Sequence, residues 1–110
     1  MLIPNTEAAV VDVEKLRGYC LNPFHSLGRY KAGVFSSALG LSGEDATEMA
    51  NALLGAARNN NAHVGRLDRF GQRYVIDFEL ERAEKKATIR TAWIIETGTD
   101  FPRLTTCFVL

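Results

Sequence analysis

Apolar positions recur every three or four residues as far as about residue 58 and every second residue from about residue 62. The first period is that of a helix with one buried face, and the second is that of a half-buried strand. The chain therefore divides into a helical half, 1–58, and a strand-rich half, 62–110, with Asn59–Asn61 between them. Asp12 can cap a short helix from Val13 to about Leu21, on which Val13, Leu16 and Cys20 share a face. Asn22-Pro23 breaks it, because the residue before a proline avoids the helical region. A second helix is expected from about Leu27 to Leu39, stopped by Gly40. Ser42 and Asp45 form a variant of the capping box ahead of a third helix that runs to about Arg58. Its apolar stripe is Ala46, Met49, Ala50, Leu53, Leu54 and Ala57.

In the second half, HVGRLDRF and RYVIDFELE flank Gly71-Gln72, which reads as a hairpin turn. Tyr74, Ile76, Phe78 and Leu80 alternate with Arg73, Asp77, Glu79 and Glu81. After a turn near Ala83–Lys85, Ile89, Thr91, Trp93 and Ile95 share the next strand's apolar face. A loop over GTDFP leads to a last strand, RLTTCFVL. Short turns favour antiparallel neighbours. The expected architecture is α+β: a single domain over 1–110, with three N-terminal helices packed on one face of a four-stranded antiparallel sheet.

One position conflicts with the helical pattern. At about 100° per residue, Leu27, Val34, Phe35 and Ala38 all fall within about 60° of Lys31, which puts a lysine in the middle of the second helix's apolar arc. Arg29 falls on the opposite, solvent side. Lys31 can snorkel to the edge of the core, pair with a carboxylate of the sheet, or serve as an anion or proton-transfer site. His25 lies just before the same helix and can act as acid or base near neutral pH. A helix N-terminus also attracts anions, so His25 and Lys31 form a small anion site if they converge. Nothing around His63, the other histidine, suggests a site.

The remaining totals narrow the picture. Formal net charge is zero, with −2 in residues 1–50 (four basic, six acidic) against +2 in residues 51–110 (nine basic, seven acidic). Charge alone therefore makes no case for a nucleic-acid partner. Cys20 and Cys107 sit in apolar segments without zinc spacing, and both read as packing thiols; no metal or cofactor is implied. No targeting signal or membrane-length apolar run is visible, which implies a cytoplasmic protein with no membrane partner.

LIPN near the start, LN…H…G…KA…F…LG across Leu21–Gly40, and T.W with PRL.T near the end resemble an uncharacterised bacterial domain family. That pattern also resembles the BECR superfamily of small ribonuclease toxins (barnase-, EndoU-, colicin- and RelE-like), and within it the colicin D-type tRNA-cleaving domains. The resemblance implies a metal-independent endoribonuclease, toxin-like and tRNA-directed. It assigns His25 as general acid/base and Lys31 as the holder of the scissile phosphate. Thr91 would bond a phosphate oxygen, Trp93 would pack or stack in the site, and Thr106 is a further hydroxyl. Cleavage of this kind needs a proton acceptor, a proton donor and cations on the phosphate oxygens. RNA and a cognate inhibitor protein are the implied partners. Taken for themselves, Thr91 and Trp93 also read as core, since they share the apolar face of their strand. On the opposite face Asp77, Glu79, Arg90, Arg103 and Thr105 could line a barnase-like site, although cross-strand ion pairs account for them more simply. The competing reading is a non-catalytic protein-binding module, an adaptor or immunity-type partner, with the same fold.

Overall fold

The computed structural model describes all 110 residues. A helical turn at Thr6–Ala8 precedes α1, Val13–Lys15, which runs directly into a wide π turn at Leu16–Cys20. Asp12 caps it, accepting the Lys15 N–H at 3.2 Å. Then come α2, Arg29–Leu39, a 3-10 turn at Gly43–Asp45, and α3, Ala46–Asn59. The Asp45 carboxylate accepts the Ser42 N–H at 2.9 Å, so the capping box holds. The strands β1 (His63–Asp68), β2 (Gly71–Arg82), β3 (Lys85–Glu96) and β4 (Pro102–Val109) form an antiparallel meander in the order β1-β2-β3-β4.

The alternation read from the sequence sets the two faces. Tyr74 and Ile76 of β2, Ile89, Thr91 and Trp93 of β3, and Leu104 and Cys107 of β4 are buried with Phe35 and Leu39 of α2 and Met49 and Leu53 of α3. The opposite face is held by ion pairs: Arg90 forks onto Asp77 with both contacts at 2.9 Å, Lys86 meets Glu79 at 2.7 Å and Arg103 meets Glu96 at 2.8 Å. Asp77, Glu79, Arg90 and Arg103, which could have built a site there, are therefore each engaged in an ion pair.

Three expectations shift. The hairpin turn lies at Arg69–Phe70, and Gly71 already belongs to β2, opposite Glu96. Gly71 has φ 141°, and a Cβ there would sit 2.1 Å from the Ile95 carbonyl oxygen, so glycine serves a close strand approach. Regular helix α2 begins at Arg29, since residues 26–28 form a turn, and Leu27 is 73% exposed. The buried face of α2 is Ala32, Phe35 and Leu39, whose centre lies roughly 70° round the helix from Lys31. Lys31 stands at the border of the core because the sheet ends at β4 beneath that side of the helix.

At that border β4 is an edge strand only partly covered. Val10 pairs in parallel with Arg103, while pairing with β3 shifts register between Ala92 and Trp93. The bulge places Thr105 between Leu104 and Thr106, which pair with Trp93 and Ala92. A bulge breaks strict alternation and re-aims side chains.

Candidate functional site

Tyr19 organises the region. It projects from the π turn, and the edge of the His25 ring meets it with centroids 4.7 Å apart and planes at 75°. The Lys31 ammonium lies 5.2 Å from the centre of the Tyr19 ring and 5.5 Å from that of Phe108. Its hydrogen-bond partner is the Thr106 hydroxyl at 2.9 Å. The bulge in β4 is what lets Thr106 meet the helix. The neighbouring residue is used as well, since the Lys15 ammonium donates to the Thr105 carbonyl at 2.8 Å. Two ammonium groups are thus anchored on consecutive residues of one edge strand. No carboxylate oxygen comes within 4.0 Å of either, as is also true of Arg29, Arg58, Arg69 and Lys85, whereas Arg17, Arg66, Arg73, Arg82, Lys86, Arg90 and Arg103 are all in ion pairs.

The structure therefore brings His25 and Lys31 to one aromatic ring, with Thr106 joined to Lys31. It does not bring Thr91 and Trp93 with them to the surface. Thr91 is 0% exposed and Trp93 1%. The Trp93 indole N–H donates to the Thr91 hydroxyl at 2.8 Å, and that hydroxyl donates to the Ile76 carbonyl at 2.8 Å. Every polar atom of this pair is satisfied inside the core, so its present work is packing.

His25 is also specifically engaged. Its Nδ1 accepts the N–H groups of Leu27 and Gly28, each at 3.0 Å, which closes the turn into α2. Two donors aimed at Nδ1 put the ring proton on Nε2, an assignment that follows from the hydrogen-bond network. Held this way, the imidazole offers an Nε2–H donor and no free acceptor. Gly28 completes the arrangement, since a Cβ on it would stand 2.2 Å from the Tyr19 carbonyl oxygen. The glycine lets the start of α2 press against the π turn and sets Lys31 over the Tyr19 ring.

Beneath the lysine lie the two cysteines, both buried. The neighbouring Cys107 side chain, with the Cys107 main-chain N–H, the Lys31 charge and the Thr106 hydroxyl, outweighs burial and lowers Cys20 from 9.0 to about 6. Cys107 is pushed up, first by the Cys20 side chain beside it and then by burial. Sequence reasoning treated the two thiols as separate packing residues and missed Lys15, Tyr19 and Phe108 as parts of one cluster. No periodicity links positions so far apart in the chain; only the placement of β4 against the π turn joins them.

A four-stranded antiparallel meander, backed on one face by N-terminal helices and carrying carboxylate-free lysines along its β4 edge, defines the class of the domain. The chain belongs to the family described as a domain of unknown function, DUF6883, which matches residues 2–110. Among curated proteins, none matches the sequence. Among solved structures, the fold is similar to that of a chain in a contact-dependent growth inhibition toxin–immunity protein complex from Klebsiella pneumoniae 342, with a TM-score of 0.67. The two are 17% identical, and the match covers 92% of this chain and 99% of that one, so it establishes a shared fold.

Proposed function

We propose that the domain is a toxin-like endoribonuclease of the BECR kind that works without a metal, with transfer RNA as the first substrate to test. The observation that carries this reading is the pair of carboxylate-free ammonium groups, Lys15 and Lys31, fixed on Thr105 and Thr106. Preorganised cations of this kind stabilise charge on a phosphoryl group as the adjacent 2′-hydroxyl attacks it. Lys31 would hold the scissile phosphate, with the Thr106 hydroxyl and the His25 Nε2–H as neutral donors beside it. For His25 to take the 2′-hydroxyl proton, it would have to leave the Leu27 and Gly28 N–H groups, so catalysis by His25 implies a reset of that turn. The buried Thr91–Trp93 pair supports the strand beneath the site. The fold shared with a chain of a toxin–immunity complex agrees with a toxin-related origin.

The test is incubation of the purified protein with total tRNA in the presence of a chelator. Cleavage is expected from the wild type. Lys31→Met, which keeps the apolar stem and removes the charge, should lose about a hundredfold in rate. Absence of cleavage by the wild type would reject the reading.

A second reading, a protein-binding module, draws on a different observation. Strand β1 is exposed along most of its length, with Val64 and Leu67 exposed within it and Phe70 just beyond. An open edge with apolar side chains suits strand addition by a partner protein, such as a cognate inhibitor. Substitution of Leu67 by lysine should abolish such pairing while leaving the fold intact.

A further inference from the structure

Beside Lys31 the surface opens into a shallow cleft of about 300 Å³ lined by Tyr30, Lys31, Val34, Phe108 and Val109. It offers four apolar or aromatic walls and one cation, with no carboxylate. Tyr30 is exposed and Val34 largely so, although both lie on a helix whose other face is fully buried. The Arg29 guanidinium stands 4.9 Å from the centre of the Tyr30 ring and donates to its hydroxyl at 3.1 Å. Arg29, like Lys31, has no carboxylate within 4.0 Å.

We infer that this cleft is a nucleobase subsite, which seats the base of a single-stranded or everted nucleotide between Tyr30 and Phe108 while its phosphate meets Lys31. The inference rests on the ribonuclease reading above and adds to it the form of substrate the site accepts. Charge complementarity selects the occupant. The cleft asks for a ligand that is flat and apolar at one end and anionic at the other, as a nucleotide is. An aliphatic acid would leave the aromatic walls unused, and an uncharged peptide side chain would leave the ammonium without a counter-charge. Base stacking on aromatic side chains tolerates any base, because each has a π face. A base must leave the duplex stack to lie against these rings, so the subsite favours loops, single-stranded ends or flipped nucleotides.

The experiment is a titration of the full chain with adenosine 3′-monophosphate, followed by NMR at the methyl groups of Val34 and Val109. Ribose 5-phosphate and inorganic phosphate serve as base-free probes. The nucleotide should shift both valines and bind at least tenfold more tightly than ribose 5-phosphate. Tyr30→Ala and Phe108→Ala, checked for an unchanged amide spectrum, should each weaken nucleotide binding about tenfold, the scale of one lost stacking contact, and leave ribose 5-phosphate unaffected. Equal affinity for nucleotide and ribose 5-phosphate, or no effect of either ring variant, would overturn the subsite. The two readings fail separately. Cleavage of tRNA without preference for the nucleotide rejects the subsite and keeps the ribonuclease. Nucleotide binding that depends on both rings, without tRNA cleavage, keeps the subsite and rejects catalysis.

Discussion

At the scale of single residues, the lysine in the apolar arc of α2 is explained by where the sheet stops. Its stem lies against the core, its ammonium emerges at the β4 edge between two aromatic faces, and a threonine hydroxyl fixes it. His25 separates two roles that one side chain can hold. As a cap, it can be replaced by asparagine, whose side-chain oxygen accepts N–H groups; as a proton carrier, it cannot. His25→Asn should therefore keep most of the stability that His25→Ala loses, about 1 kcal/mol on the scale of a lost cap. If asparagine also keeps the cleavage rate, His25 acts only through the turn. Urea denaturation and the tRNA assay read these two outcomes independently.

The thiol pair gives a residue-scale prediction with a definite sign. Cys20 is depressed from 9.0 to about 6 in the folded chain. An acid whose folded value is depressed adds stability that is fully present above its unfolded value and is lost as pH falls through its folded one. Cys20 therefore adds stability that grows between about pH 6 and pH 9. Cys107, held neutral above its ordinary value of 9.0, takes stability away beyond that point. The urea midpoint should rise from pH 6 to pH 9 in the wild type and rise less in Cys107→Ala, which lacks the neighbouring thiol that lowers Cys20. Parallel slopes for the two proteins would contradict the pairing.

At the scale of elements, two turns show sequence and conformation at odds. The β2–β3 hairpin closes through Ala83 and Glu84, with φ of 50° and 69°. Both central residues are left-handed, as in the turn that asparagine-glycine fills best. A non-glycine residue in that region pays a steric cost from its Cβ. Replacing Ala83-Glu84 by Asn-Gly should stabilise the domain by about 1 kcal/mol, measured by denaturant midpoint, without effect on the site. Gly28 behaves in the opposite way. Its φ is −89°, so the requirement for glycine is space beside the Tyr19 carbonyl. Gly28→Ala should cost about 2 kcal/mol, the scale of overpacking, and should lift α2 from the π turn. Lys31 would then leave the Tyr19 ring, so the variant should lose cleavage beyond what its stability loss explains.

At the scale of the whole molecule, what could be read from the sequence follows the range of the interactions. Period and caps are local, and they gave three helical segments and four strands in the right order, with Asp12 capping α1 and Ser42 and Asp45 forming the box ahead of α3. Facing on the sheet is also local once the alternation is known, and it led to the cross-strand pairing of Arg90 with Asp77. The start of α2 was read two residues early because Leu27 is apolar, and an exposed leucine looks like a core leucine until the edge of the sheet is located. The site was legible only in part. Lys31 stood out as a violation of its own helix, and Thr106 as a hydroxyl on the last strand. The bulge that joins them, Lys15 on the adjacent carbonyl, and the two cysteines beneath depend on how β4 lies against the π turn, which no local pattern records. Thr91 and Trp93 entered through a family resemblance; two apart on one strand, they point the same way, and they hydrogen-bond each other inside the core.

In the proposed function the β4 edge positions Lys31 for metal-free attack of a ribose hydroxyl on its own phosphate. The most direct measurement is the chemistry of the ends left on RNA by the wild type and by folded Lys31→Met, with a chelator present throughout. The account predicts 2′,3′-cyclic phosphate and 5′-hydroxyl ends from the wild type and a loss of about a hundredfold in the variant. Intact RNA, 5′-phosphate ends, or undiminished cleavage by Lys31→Met would contradict it.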